Sequence, residues 1–295
     1  MTPATDSSTL RLATRGSALA LRQTALAVNA LQAAGRGDVE TLVVRTEGDR
    51  RTDAPIDQLE GQGWFTADLE RSLLDGRADV AVHSAKDLPS GLAPGLAIAA
   101  YLARADARDG VVSSSGRPLD ELPNGATVGT SSARRAGLLA ALYPGLRTIP
   151  IRGNVDTRLR KLDAGDVDAL VLACAGLDRL SLSDRFTQRL DATVFVPSPA
   201  QGAVALEAVP GSGAALACAL VGDPATRVAV TAERAVLISL GGGCLMPLGA
   251  WARIEDGRLV LVAALVVEGA IRRAELSGRL EEPEALGEMV AARLR

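Results

Sequence analysis

A chain of 295 residues has room for two to three domains of ordinary size, and 47% apolar residues with only 2% aromatics mean cores built from Ala, Leu and Val. The net charge of −3 gives no global attraction for nucleic acid, and aromatics for base stacking are scarce, so no nucleic-acid partner is expected. The longest apolar stretches, such as Leu259 to Val267, fall short of the roughly 20 residues of a membrane helix, and the polar stretch Met1 to Thr9 lacks an apolar h-region, so the expectation is a cytoplasmic protein without a membrane partner.

In chain order, Leu10 to Thr14 reads as a strand that turns through Arg15-Gly16-Ser17 into an apolar-periodic helix from Ala18 to Ala33, ended by Gly35. Val39 to Arg45 is a second strand, Thr66 to Leu74 a helix stopped by Gly76, and Asp79 to His83 a third strand. Between them, Glu47 to Gly63 carries Gly, charge and Pro55 without periodicity and reads as a mobile loop, a candidate lid. The pattern restarts with strand 127–130, helix 132–142, strand 148–151, helix 155–162 and strand 169–173. Such alternation predicts parallel sheets with helical crossovers. Segments 96–102 and 194–199 read as strands crossing between the two halves. From Asp223 the order changes to a long helix ending at Gly241-Gly242-Gly243, strands near 251–254, 259–267 and 271–276, and a helix after Pro283, which together form an α+β unit. A cleft between the two α/β halves is a favoured place for a ligand.

Residue counts narrow the chemistry. His83 is the only histidine, so two-imidazole metal sites are excluded, and a Ser-His-Asp triad has only that residue to build on. Cys174, Cys218 and Cys244 lack C-x-x-C spacing, which argues against a disulfide framework and a zinc cluster; no metal is expected. Lysine occurs only at Lys86 and Lys161, neither preceded by Gly, so there is no P-loop.

Three times a strand runs into a hydroxyl- and Arg-rich turn that opens a helix: at Thr14-Arg15-Gly16-Ser17, at Thr130-Ser131-Ser132-Ala133-Arg134-Arg135, and at Arg152 to Arg158. Helix-start N–H groups, the positive end of the dipole, hydroxyls and guanidinium forks all favour a bound anion. Each turn taken singly also suits a plain N-cap at Ser17, Ser132 or Asn154 beside solvated arginines. Together they predict a ligand with several carboxylates or phosphates. Lys86 and Asp87 follow an apolar strand at its C-terminal end, where α/β sites form. An ionised Asp87 there suits an N–H donor of a ligand, a cationic intermediate or proton relay, and equally a surface salt bridge. Lys86 also suits a Schiff-base nucleophile, and His83 in its apolar strand reads as a structural residue. Cys244 sits on a glycine-rich turn that lets a bulky group approach the backbone, whereas Cys174 and Cys218 read as inert core thiols.

In order along the chain, L-A-T-R-G-S at 12–17, A-V-H-S-A-K-D-L-P at 81–89, G-T-S-S-A-R-R at 129–135, R-G-N-V-D-T-R-L at 152–159, A-G-L-D-R-L at 175–180, Q-G-A-V at 201–204, T-A-E-R-A at 231–235 and G-G-G-C at 241–244 resemble the porphobilinogen deaminase family. That resemblance implies an α/β fold with two periplasmic-binding-protein-like (type II) domains forming a cleft, 1–100 with 198–219 and 101–197, plus a small α+β C-terminal domain, 220–295. It further implies a transferase of tetrapyrrole biosynthesis that condenses four porphobilinogen molecules into hydroxymethylbilane, through electrophilic azafulvenes formed by loss of ammonia. A dipyrromethane cofactor on Cys244, linked as a thioether, primes the chain. By position, Asp87 is the catalytic carboxylate; Lys86, Ser131, Ser132, Arg134, Arg135 and Arg152 bind cofactor, and Arg15, Ser17, Arg158 and Arg179 bind substrate. Porphobilinogen is the expected partner and a monomer the expected state. Gln58 and Gln62 stand where relatives often carry lysine, and Asp156 adds an anion between Arg152 and Arg158. Two rivals are an anion-binding receptor or sensor domain pair and a Lys86 Schiff-base lyase or aldolase.

Overall fold

Residues 9–46, 66–243 and 246–295 are described by the structure, a computed structural model. The expected loop from Glu47 to Gly63 and the Cys244 thiol lie outside the described residues.

The first lobe is a five-stranded sheet built from β1 (Leu10–Arg15), β2 (Val39–Val44), β3 (Val80–Ser84), β4 (Ala97–Tyr101) and β10 (Val204–Ala208), in the order β2-β1-β3-β10-β4. Helix α1 (Ala18–Ala33) starts where the Ser17 hydroxyl accepts the Ala20 N–H, and it lays Ala27 and Leu31 on Leu10, Leu12, Val80 and Val82. Helix α2 (Ala67–Leu74) covers the other face through Leu69 and Leu73 against Ala13 and Ala81. Covered on both faces, β3 is buried along nearly its whole length, as its unbroken apolar run requires. His83 in that strand meets Glu207 of β10 at 2.9 Å, a buried pair that gives the single histidine a partner inside the first sheet.

A second five-stranded sheet repeats the plan with β5 (Asp109–Ser113), β6 (Thr127–Gly129), β7 (Arg147–Ile149), β8 (Ala169–Ala173) and β9 (Gln188–Arg189), ordered β7-β6-β8-β5-β9. Its helices are α3 (Ala133–Leu142), α4 (Val155–Asp163) and α5 (Cys174–Arg179). After β10, α6 (Gly213–Ala219) leads to α7 (Pro224–Ser239), capped by Asp223 accepting the Thr226 N–H. Helix α7 and α8 (Pro283–Leu294) pack on an antiparallel sheet of β11 (Leu248–Glu255), β12 (Arg258–Val267) and β13 (Ala270–Gly278). No single helix among the described residues is long and apolar enough to cross a membrane.

Two expectations need correction. The sheets are mixed rather than parallel: β10 runs antiparallel to β3 and β4, and β5 antiparallel to β8 and β9. These are the strands that leave for, or arrive from, the other lobe, so they enter their sheet without a helical crossover. Segment 194–199 is not a strand. Pro197 and Pro199 have no N–H to give a ladder, and the carbonyls of Val196 and Pro197 are taken instead by the Arg134 side chain and Ala250 N–H.

The two crossing segments lie side by side. Leu102 N–H donates to Val204 O and Ala105 N–H to Gly202 O, while Arg104 Nε donates to Gln201 O at 2.8 Å. Gly202 is required here: its φ is +90° and a Cβ would stand 2.6 Å from Ala105 O. Glu233 of α7 clamps the junction, accepting from Arg104 Nη1 (2.6 Å) and Nη2 (3.1 Å), from Ala200 N–H (2.6 Å) and from Ala252 N–H (2.7 Å). One buried carboxylate thus ties both crossings to the third sheet.

Candidate active site

Arg15 ends strand β1, and Lys86, Asp87, Ser131, Ser132 and Arg152 follow the C-terminal ends of β3, β6 and β7, which run parallel to their neighbours β1 and β6 there. Ser17 and Ser132 cap α1 and α3, and the Ser131 hydroxyl donates to Ile151 O at 2.7 Å, tying the turn after β6 to the one after β7. Arg158 bends back from α4 and donates through Nε to Gly153 O at 2.8 Å. Asn154 holds the N-cap position of α4 without a side-chain cap bond, and the exposed Asp156 lies 3.8 Å from Arg160.

Four predicted residues meet electrostatically across the lobes. Burial, and then Arg135, push the Lys86 ammonium down to about 8 against the pull of Asp87 and Asp109. Burial, and then Arg135, likewise push Arg158 down to about 10, with Asp87 opposing. Lys86 and Asp87 come from the first lobe, Arg135 and Arg158 from the second, and Asp87 is the exposed carboxylate that acts on both Lys86 and Arg158.

Beneath this cluster lies a residue that sequence reasoning missed. Asp109, fully buried at the start of β5, receives Arg134 Nη1 at 2.8 Å, Arg135 Nη2 at 2.7 Å and Arg135 Nε at 3.0 Å. Burial alone would raise its carboxyl, but Arg134 and Arg135 hold it well below the usual carboxylate range. Gln201 completes the layer, linking Asp109 to Lys86 Nζ at 3.2 Å. Asp109 is the last of four charges in Arg-Ala-Asp-Ala-Arg-Asp, and nothing local in that run separates it from its neighbours. Gln23, paired with Ser84 at 2.8 Å beside the β3 terminus, was missed for the same reason.

Arg134 faces the interior. It is 4% exposed, pairs with Asp109, donates to Val196 O at 2.8 Å and lies over the Phe195 ring at 5.9 Å. Arg179 donates to Gly202 O at 2.7 Å, and burial lowers its guanidinium; its Nε is buried without a hydrogen-bond partner. Burial pushes the Cys174 and Cys218 thiols up to about 12, so neither forms a thiolate near neutral pH.

Such a site can bind a polyanion across two lobes and set one carboxylate, Asp87, against it. Residues 10–215 match the family model described as porphobilinogen deaminase, dipyromethane cofactor binding domain, and residues 227–295 the porphobilinogen deaminase C-terminal domain. The porphobilinogen deaminase of Acidothermus cellulolyticus is 48% identical over 302 residues, covering 100% of this chain and 91% of its own. Those of Roseiflexus castenholzii (45%; 97% of this chain, 95% of the relative) and Desulforudis audaxviator (46%; 95% and 92%) are similar. Among solved structures, protein PG110 from Staphylococcus aureus is alike at a TM-score of 0.45 and 11% identity, over 96% of this chain and 100% of that one. The receptor alternative is not favoured by these matches. Two family models and near-full-length relatives agree with the order of motifs along the sequence, and the chain belongs to the porphobilinogen deaminase family.

Proposed function

We propose that this chain is a hydroxymethylbilane synthase, a transferase (EC 2.5.1.61) that joins four porphobilinogen molecules head to tail, with loss of one ammonia per unit, on a dipyrromethane held by Cys244. The observation that carries this reading is the excess of positive charge, partly buried at Lys86 and Arg158 and buried at Arg134 and Arg135, around Asp87. Lys86 and Arg158 are both pushed down by burial and by Arg135, the signature of cations brought together ahead of an anionic ligand. Each pyrrole carries an acetate and a propionate, so a dipyrromethane brings four carboxylates, and this donor set fits it. Lys86, Ser131, Ser132, Arg134, Arg135 and Arg152 would hold the cofactor, with Arg134 acting from below through the layer it shares with Asp109. Arg15, Ser17, Arg158 and Arg179 would hold the incoming substrate. When bound, the cofactor supplies the free pyrrole α-carbon to which substrate is joined. Asp87 accepts pyrrole N–H hydrogen bonds and steadies positive charge as the substrate's C–N bond breaks and ammonia leaves. Cys244 is the cofactor thiol that the resemblance to the family implies, and the burial of Cys174 and Cys218, whose thiols are pushed up, supports that reading.

The same reading divides the chain into 1–100 with 198–219, 101–197 and 220–295, and makes it a cytoplasmic monomer. Intact mass after denaturation tests it. Wild type and Asp87→Asn should both carry a dipyrrole adduct, Cys244→Ser should carry none, and Asp87→Asn should lose most turnover. An unmodified, fully active wild-type chain overturns the cofactor assignment, and normal turnover in Asp87→Asn overturns the role of that carboxylate.

A further inference from the structure

Gln201 is completely buried where the chain returns to the first lobe, and both ends of its amide are engaged. Nε2 donates to Ala107 O at 2.8 Å, Arg108 O at 3.2 Å and Asp109 Oδ1 at 3.1 Å. Oε1 accepts from Lys86 Nζ at 3.2 Å and Arg135 Nη2 at 3.4 Å. The amide therefore has one workable orientation: reversed, its NH2 would face an ammonium and a guanidinium while its oxygen faced two carbonyls and a carboxylate. Asp109, itself fixed by Arg134 and Arg135, sets that orientation.

We propose that Gln201, oriented by Asp109, is a positioning residue that holds the Lys86 ammonium in place across the seam between the two lobes. The inference rests on the reading of Lys86 as a ligand-binding cation. Its physical basis is that an amide oxygen accepting from an ammonium stabilises the charged form. The groups acting on Lys86 are Arg135 and Arg134, which with burial disfavour its charge, and Asp87 and Asp109, which favour it. Gln201 adds its oxygen to the favourable side without adding net charge. It thereby keeps Lys86 cationic near neutral pH, in a place where burial works against it. Being seated on backbone carbonyls of the outgoing crossing, it also registers the first lobe's lysine against the second lobe's arginines.

Because Lys86 and Lys161 are the only lysines, the effect can be read directly. Purified full-length wild type, Gln201→Leu and Gln201→Glu are labelled with trace acetic anhydride across pH 6–11, and acetylation of Lys86 is quantified against Lys161 by peptide mass spectrometry. In Gln201→Leu the Lys86 midpoint should fall by about one pH unit, and in Gln201→Glu it should rise above wild type. Midpoints that coincide in all three proteins overturn the proposal. Wild type offers an independent test that needs no variant: the Gln201 side-chain amide ¹⁵N signal should titrate with the Lys86 midpoint, and a flat signal overturns it. The intact-mass experiment above reads the adduct alone, so loss of the cofactor assignment and loss of this positioning role are distinguishable.

Discussion

Glu233 offers the most exacting test of how the lobes are joined. Glu233→Gln conserves volume but replaces one acceptor oxygen with an NH2 that faces donors, from Arg104 Nη1 and Ala252 N–H on one side or Arg104 Nη2 and Ala200 N–H on the other. It also leaves the Arg104 guanidinium, with 12% of its side chain exposed, without its counter-charge. Removing one member of a buried pair costs about 3–5 kcal/mol, and much of that is the unpaired partner. For a chain of this size roughly 2 °C is lost per kcal/mol, so a fall in Tm of about 6–10 °C is expected by differential scanning calorimetry. A second variant separates charge from geometry. Arg104→Met with Glu233→Leu removes both ions and should recover part of the loss, yet stay below wild type, because the Ala200 and Ala252 N–H groups remain orphaned at about 1–3 kcal/mol each. A Tm for Glu233→Gln within 2 °C of wild type would refute the clamp, as would full recovery in the double variant for the backbone part of it.

Gly202→Ala and Gly35→Ala both place a Cβ at positive φ (+90° and +88°), but only at 202 does it collide with a backbone carbonyl. The first should lose at least about 1 kcal/mol more in urea unfolding than the second, and equal losses would dismiss the close approach of the crossings. Acid should destabilise the protein. Asp109 is held down by Arg134 and Arg135 against the push of burial, and Asp178 is held down by the hydrogen bonds of Arg189. Their folded values lie below the unfolded ones, so their contribution is complete above about pH 4 and is lost as pH falls from there toward the folded values. Glu70 is raised by burial and then by Glu207, and works in the opposite sense, weakening stability as pH rises above the ordinary glutamate value. Tm measured from pH 6 to pH 3 should fall over the lower part of that range, and a flat or rising curve would count against the aspartate argument.

Much of the fold could be read from local signals. Helix α1 carries both a serine cap and an apolar period, and the expected span of 18–33 is the observed one. The third unit declared itself through long apolar strands and an Asp-Pro helix start at 223–224. What escaped depends on partners distant in sequence. Strand β10 is five buried residues whose place is fixed by pairing Ala205 with His83 and Tyr101, and nothing local announces it. Val194-Phe195-Val196 has strand-like character, and the prolines after it decided against a ladder. At the site, the motif turns gave Lys86, Asp87, Arg135 and Arg158 their neighbourhood, because they follow strands that run parallel within each sheet. Asp109 was invisible because its burial is created by arginines 25 and 26 positions later.

Arginines of two kinds of surroundings can be told apart. Arg11, Arg108 and Arg189 have their guanidinium groups raised, first by hydrogen bonds to Asp79, Asp106 and Asp178 respectively; each is answered by a protein carboxylate. Arg134, Arg158 and Arg179 are lowered, in each case first by burial. Within the cluster of Lys86, Arg134, Arg135, Arg158, Asp87 and Asp109, four cations face two carboxylates. A protein gains no stability from gathering buried and half-buried cations in such excess, since desolvation and mutual repulsion both oppose it. The arrangement becomes favourable when carboxylates from outside the chain enter, and their arrival returns Lys86 and Arg158 toward their ordinary values. That unanswered positive charge is the counterpart of affinity for an acid-rich ligand, and a chain of two-carboxylate rings is a ligand of that kind.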